Sequence, residues 1–122
     1  MLPYKRTLSP IKTENKCGLL YWDNLFDHFD TKRIFYLQDC DDLNETNNIR
    51  GKHVNKDCNE ILVLLQGELI ITLIDMNNEA HQETYKYECH KNDYVLIPIN
   101  YYLEIEILTK NTVYFVLCDN IR

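Results

Sequence analysis

Arg50-Gly51-Lys52-His53-Val54-Asn55-Lys56, followed by Glu60 and later by Gly67, is where this sequence concentrates groups able to do chemistry. Side chains alternate along a strand, so His53 and Asn55, two residues apart, are expected on one face. Two histidines at that spacing would make half of a metal site. Asparagine in the second place is a poor ligand for zinc or iron, which prefer imidazole, thiolate and carboxylate, so no metal is expected. His53 can exchange a proton near neutral pH, and its ordinary alternative is a strand histidine satisfied by a neighbour. Asn55 cannot titrate, but its amide can donate to an oxyanion or a hydroxyl. Glu60 could join His53 on a metal, although hydrogen bonding to a ligand or a neighbouring side chain is the more ordinary role. Arg50 and Lys56 could meet a diphosphate, Arg50 in bidentate fashion, or could simply line a solvated strand edge.

The 122 residues are enough for one domain, spanning 1–122, and too few for two. Hydrophobic residues make up 45% and aromatic residues 11%, with nine tyrosines, which favours strands and a binding cleft over a helical bundle. The formal charge of -6 argues against a nucleic-acid surface, so an anionic ligand would need a local basic cluster. Arg50, Lys52 and Lys56 form the densest one beside a candidate site, and Lys5, Arg6 and Lys12 a looser one. Cys17, Cys40, Cys58, Cys89 and Cys118 are odd in number and scattered, with no C-x-x-C pair, and read as free thiols in a reducing compartment. The first residues contain no apolar leader, and no run is long enough to cross a bilayer, so a cytoplasmic location is expected.

The elements that must position these groups are short. Residues 33–38 read as a strand, and the Asp/Asn-rich residues 39–48 as a loop. Residues 61–65 are continuously apolar, Gln66-Gly67 turns, and 69–74 resumes, which suggests a hairpin buried on both faces. Residues 84–89, 94–97, 101–108 and 113–117 complete the series, with Leu103, Ile105 and Ile107 on one face and Glu104 and Glu106 on the other. Short strands recurring at this interval indicate an all-β sandwich or jelly roll. Helix is expected at most over 23–29. His28, His81 and His90 lie in polar surroundings and read as surface residues.

The run Lys32-Arg33-Ile34-Phe35-Tyr36-Leu37, a polar loop, Arg50-Gly51-x-His53-x-x-Lys56, a buried strand, Gly67 and a late Ile97-Pro98 together resemble the cupin-type sugar 3,4-ketoisomerases, which act on thymidine-diphosphate (dTDP) 4-keto-6-deoxyhexoses. The likeness runs from about Gly18 to Asp119-Asn120-Ile121-Arg122, similar to that family's D-Y-I-R tail. The family usually shows R-G-x-H-A-H-K, with a glutamine four residues beyond the lysine. Here Asn55 stands for the second histidine and Glu60 for the glutamine, while Tyr101 and Tyr102 replace a tryptophan-histidine pair after the Ile-Pro turn. The resemblance implies an all-β fold, the cupin double-stranded β-helix (jelly roll), in a homodimer.

It also implies a reaction that removes the proton from C3, holds an enediolate and returns a proton at C4, with no metal or redox cofactor. His53 is then the candidate acid/base, with Tyr36, which matches a tyrosine in the family's active site, and Asn55 as further catalytic candidates. In a chain with nine tyrosines, packing is the plainer reading of Tyr36. Arg50, Lys56, Glu60 and Tyr102 are the candidate substrate-binding residues for a dTDP-linked keto-sugar. The rivals are a non-catalytic sugar-nucleotide-binding cupin, favoured by Asn55, and a metal-dependent cupin dioxygenase or isomerase, disfavoured by its incomplete ligand set.

Overall fold

The computed structural model describes residues 1–20 and 29–120, so the helix expected over 23–29 lies outside the described residues except for Phe29, which is in no regular element. The strands are β1 (Tyr4–Thr7), β2 (Ile11–Lys12), β3 (Gly18–Leu19), β4 (Arg33–Leu37), β5 (Ile49–Val54), β6 (Glu60–Gln66), β7 (Leu69–Asp75), β8 (Thr84–Cys89), β9 (Asp93–Ile97), β10 (Tyr101–Ile107) and β11 (Val113–Cys118). One sheet has five strands in the order β1-β9-β6-β11-β4, and the other has four in the order β5-β10-β7-β8, with β2 and β3 paired beside them. Every pairing is antiparallel. The expected all-β jelly roll is borne out.

The hairpin expected around Gly67 is not formed. β6 pairs with β9 and β11, whereas β7 pairs with β8 and β10, so Gly67 carries the chain from one sheet to the other. Its φ of +91° belongs to the left-handed region that favours glycine, and a Cβ there would lie 2.3 Å from Thr112 Oγ1. The misreading has a physical cause: two apolar runs around a glycine look alike whether they pair or face each other across a core.

Between Glu60 and Gln66, β6 is continuously apolar over residues 61–65, and both of its faces are covered through Leu64. Leu62 and Leu64 point between the sheets, against Leu69, Ile71 and Leu73 of β7 and Leu103, Ile105 and Ile107 of β10. Ile61 and Val63 point the other way, into a second cluster with Tyr94 and Leu96 that Tyr4, Leu8 and Phe115 help to cover. β10 alternates strictly and β7 does so through Ile74, since only one face of the four-stranded sheet is buried.

Cys17 is exposed and the other four cysteines are buried, all as free thiols. Burial pushes every buried thiol up, Cys118 to about 11 and Cys89 to about 12. The thiolate is the reactive species, so these four are shielded both by protonation and by access. Native protein at pH 8 should therefore show one rapidly reacting thiol with an aromatic disulfide reagent, and the remaining four only after denaturation. Rapid titration of two or more in the native state would contradict the packing.

Candidate active site

β5 is not a regular strand, and its irregularity builds the site. Leu103 pairs with His53, Glu104 with Gly51 and Ile105 with Arg50, which leaves Lys52 as an extra residue without an opposite number. This is a β-bulge, carried by positive φ at Gly51 (+86°) and Lys52 (+59°). Arg50 and His53 are three residues apart and would face opposite sides of a regular strand. The inserted residue restores the phase. Both side chains then line the space between the sheets, opposite Leu103 and Ile105 of β10.

That space is a cavity of about 390 Å³, within the range of roughly 300–1,000 Å³ usual for small-molecule sites. His53, Arg50 and Asn55 form one wall; Arg33, Phe35, Glu60 and Tyr114 are on the facing sheet. Glu60 is buried, whereas Arg50 and His53 are exposed, so the acid sits deep and the cationic and imidazole groups sit towards solvent.

Four of the seven residues expected from sequence therefore meet in one cavity: Arg50, His53, Asn55 and Glu60. The other three do not. Alternation along β4 turns Arg33 and Phe35 inward and leaves Tyr36 outside, 65% exposed, in a shallow apolar groove with Ile34, Leu65, Val113 and Phe115. Tyr102 alternates with the inward Leu103 and donates its hydroxyl to Glu104 at 2.9 Å on the outer face. Lys56 is exposed and does not line the cavity.

Asn55 is committed elsewhere as well. Its Nδ2 donates to Cys58 Sγ at 3.1 Å, and its Oδ1 accepts from the backbone N–H of Asp57 and Cys58 at 3.0 and 3.3 Å. It is the residue that closes the turn after β5. Further along this turn, Asn59 donates from its backbone and from Nδ2 to the two oxygens of Asp119, at 2.8 and 2.9 Å, while its Oδ1 accepts from the N–H of Ile99 at 2.9 Å. The connection that leads into β6 is thereby tied to the end of β11.

Sequence reasoning missed Arg33 and Tyr114. Tyr114 is buried, which raises its phenol, an effect partly offset by the charge of Arg50 and a hydrogen bond to it. Arg33 donates to Cys118 Sγ at 3.5 Å, and its guanidinium stacks over Phe35 at 5.3 Å. The signal was available in the period of two: Arg33 alternates with the outward Ile34, and Tyr114 shares a face with Val116.

Cys58, Glu60 and Cys118 bring their ligand atoms within 4.8 Å of one another, which the scattered cysteine spacing did not suggest. They fit a metal ion poorly. The sulfur of Cys118 already accepts from a guanidinium and that of Cys58 from the Asn55 amide, and a cation there would stand beside the charge of Arg33. His53 is not part of this cluster.

Gly51→Ala tests the bulge directly. An added Cβ would lie 2.9 Å from the Leu103 carbonyl oxygen at a φ that L residues avoid, so the variant should lose about 1–3 kcal/mol of stability in chemical denaturation. An unchanged denaturation midpoint would mean that the bulge is not as described.

Residues 11–121 match the family described as FdtA: WxcM-like, C-terminal. No curated protein sequence is matched by the chain. Among solved structures, the WlaRB TDP-quinovose 3,4-ketoisomerase of Campylobacter jejuni is 22% identical, with a TM-score of 0.77 over 98% of this chain and 86% of that one. A 3,4-ketoisomerase from Helicobacter canadensis is 21% identical, with a TM-score of 0.74 over 100% and 86%. QdtA, a sugar 3,4-ketoisomerase from Thermoanaerobacterium thermosaccharolyticum solved in complex with TDP, is 19% identical, with a TM-score of 0.71 over 98% and 82%. These likenesses confirm the fold, and the match over residues 11–121 shows that the chain belongs to the FdtA, WxcM-like C-terminal family.

Proposed function

We propose that this chain is a nucleotide-sugar 3,4-ketoisomerase, converting dTDP-4-keto-6-deoxyglucose or a close relative to the 3-keto isomer, as one cytoplasmic cupin domain in a homodimer that serves deoxyamino-sugar synthesis. The observation that carries this reading is the convergence of His53, Arg50, Arg33 and Glu60 on one cavity between the sheets. Family membership and the solved ketoisomerases of the same fold support it, including one that holds TDP.

The chemistry follows from the residues present. Arg50 and Arg33 supply positive charge for an anionic ligand in a chain whose net charge is -6. His53, as the imidazole, removes the proton from C3 of the 4-keto sugar, and the electron pair moves to O4 as an enediolate. The hydroxyl proton on O3 passes to O4, C4 gains a proton, and C3 becomes the carbonyl. One carbon is oxidised and its neighbour reduced, so no external oxidant is required. Tyr36, Lys56 and Tyr102, which lie outside the cavity, take no step in this scheme. Asn55 holds the turn rather than the substrate.

His53→Asn should abolish exchange of the C3 proton of dTDP-4-keto-6-deoxyglucose with deuterium oxide, followed by NMR, while leaving TDP binding nearly intact. Retention of full exchange would move the chemistry to another residue. Arg50→Ala should weaken TDP binding in calorimetry more than His53→Ala does, because Arg50 meets charge and His53 meets the reacting carbon. Equal losses would mean that the two roles are wrongly divided. Protein purified without added metal should exchange C3 protons in the presence of a chelator, and activity that requires stoichiometric zinc, iron or manganese would favour the metal-dependent reading instead.

A second reading rests on Asn55. Its hydrogen-bonding groups are engaged by Cys58 and the turn, and its amide does not titrate and so supplies no second acid/base. If nothing else in the cavity does, the protein binds a sugar nucleotide without turning it over, and TDP binding with no C3 exchange would establish that.

A further inference from the structure

A 3,4-ketoisomerisation needs a proton taken from C3 and another delivered to C4, and the wall that carries His53 offers no other titratable group lining the cavity except Arg50. The facing wall does. Glu60 lies on β6 of the five-stranded sheet, whereas His53 lies on β5 of the four-stranded sheet, and both line the same cavity. The carboxyl is buried at 5% exposure and stands between the inward ends of β9 and β11, where Ile97 and Cys118 are its cross-strand partners. No salt bridge neutralises it among the described residues.

We propose that Glu60 is the second acid/base of the reaction, working on the face of the sugar opposite His53, so that the product has the gluco configuration. This rests on the ketoisomerase reading above. A pyranose ring in a slot between two packed sheets presents one face to each wall, since such sheets stand only about 10 Å apart. His53 takes the axial C3 proton from one side. The planar enediolate is then protonated at C4 by the Glu60 carboxyl from the other side. In a gluco sugar the hydrogens at C3 and C4 project from opposite faces, and in a galacto sugar from the same face. Delivery across the ring therefore writes the gluco product.

The surroundings of Glu60 suit a group that becomes an anion as it gives up its proton. Cys118 Sγ is 3.5 Å from Glu60 Oε2 and can donate its S–H to the carboxylate formed, and the Arg33 guanidinium hydrogen-bonds the same sulfur. Burial holds the Cys118 thiol up at about 11, so its proton stays in place through the cycle. After product release, His53 returns the C3 proton to solvent and Glu60 recovers one from it, which balances the exchange.

The experiment uses dTDP-4-keto-6-deoxyglucose deuterated at C3, incubated with the intact protein in ordinary water and followed by NMR. The expected result is a gluco product with hydrogen, not deuterium, at C4. Glu60→Gln should then lower turnover by roughly two to four powers of ten while C3 deuterium still washes out of the substrate. A galacto product, deuterium carried from C3 to C4, or Glu60→Gln turning over like the wild type would each overturn the proposal and leave the ketoisomerase reading standing. Absence of both C3 exchange and product in the wild type would instead overturn that reading, and this proposal with it.

Discussion

The insertion of a single residue at Lys52 sets the chemical character of the cavity. Without it, the side chains of Arg50 and His53 would fall on opposite faces of β5, one in the core and one in solvent. With it, a cation and an imidazole stand together above Leu103 and Ile105 at the edge of an otherwise apolar interior. The cost is two consecutive residues at positive φ, Gly51 and Lys52. Glycine makes the first inexpensive, and the close approach of the Leu103 carbonyl leaves no room there for a larger residue. Such strain is tolerated where the surroundings over-determine the backbone, and here the pairing with β10 resumes on both sides of the bulge.

The two walls differ in rigidity as well as in chemistry. β5 is an edge strand and its side chains are largely exposed, so Arg50 and His53 sit where a ligand can reach them. β6 lies at the centre of its sheet and is buried through Leu64, which holds Glu60 in a fixed place. Asn55 and Asn59 order the connection between β5 and β6, the first by folding the turn after β5 and the second by bonding to Asp119 and Ile99. An asparagine at 55 is thus a structural part of the turn that leaves this wall, which a comparison of motifs alone reads only as a missing histidine.

Much of the fold was legible because its cause is local. Alternation in 101–107 and the polar loop after β4 follow from burial on one face and from turn chemistry, and the strands formed where those signals lay. The partnership of β6 and β7 was not legible, since apolar runs carry no label for the strand opposite. His53, Arg50, Asn55 and Glu60, singled out by residue type and spacing, line one cavity. Tyr36 and Tyr102 lie outside that cavity, since a family pattern gives position along the chain and not the face of a strand, and on β4 and β10 a shift of one residue is the difference between cavity and solvent. Arg33 and Tyr114 needed that same phase to be seen. The burial of Glu60, and the sheet it belongs to, are tertiary facts that residue type and spacing do not carry.

The order of strands across the sheets also governs when the molecule can take shape. Among the described residues, only β2 with β3 and β7 with β8 are neighbours both in sequence and in space. β1 has to wait for β9, β5 for β10, and β4 for β11, partners that lie scores of residues further along the chain. Closing such loops costs entropy before any contact is made, which places this topology among the slower folders. The β7–β8 ribbon is the one long pairing that can form early, and β11, wedged between β6 and β4, completes the larger sheet. A ribosome must therefore expose most of this sequence before either wall of the cavity exists, and until β9 has emerged the apolar residues of β6 have no partner strand to cover them.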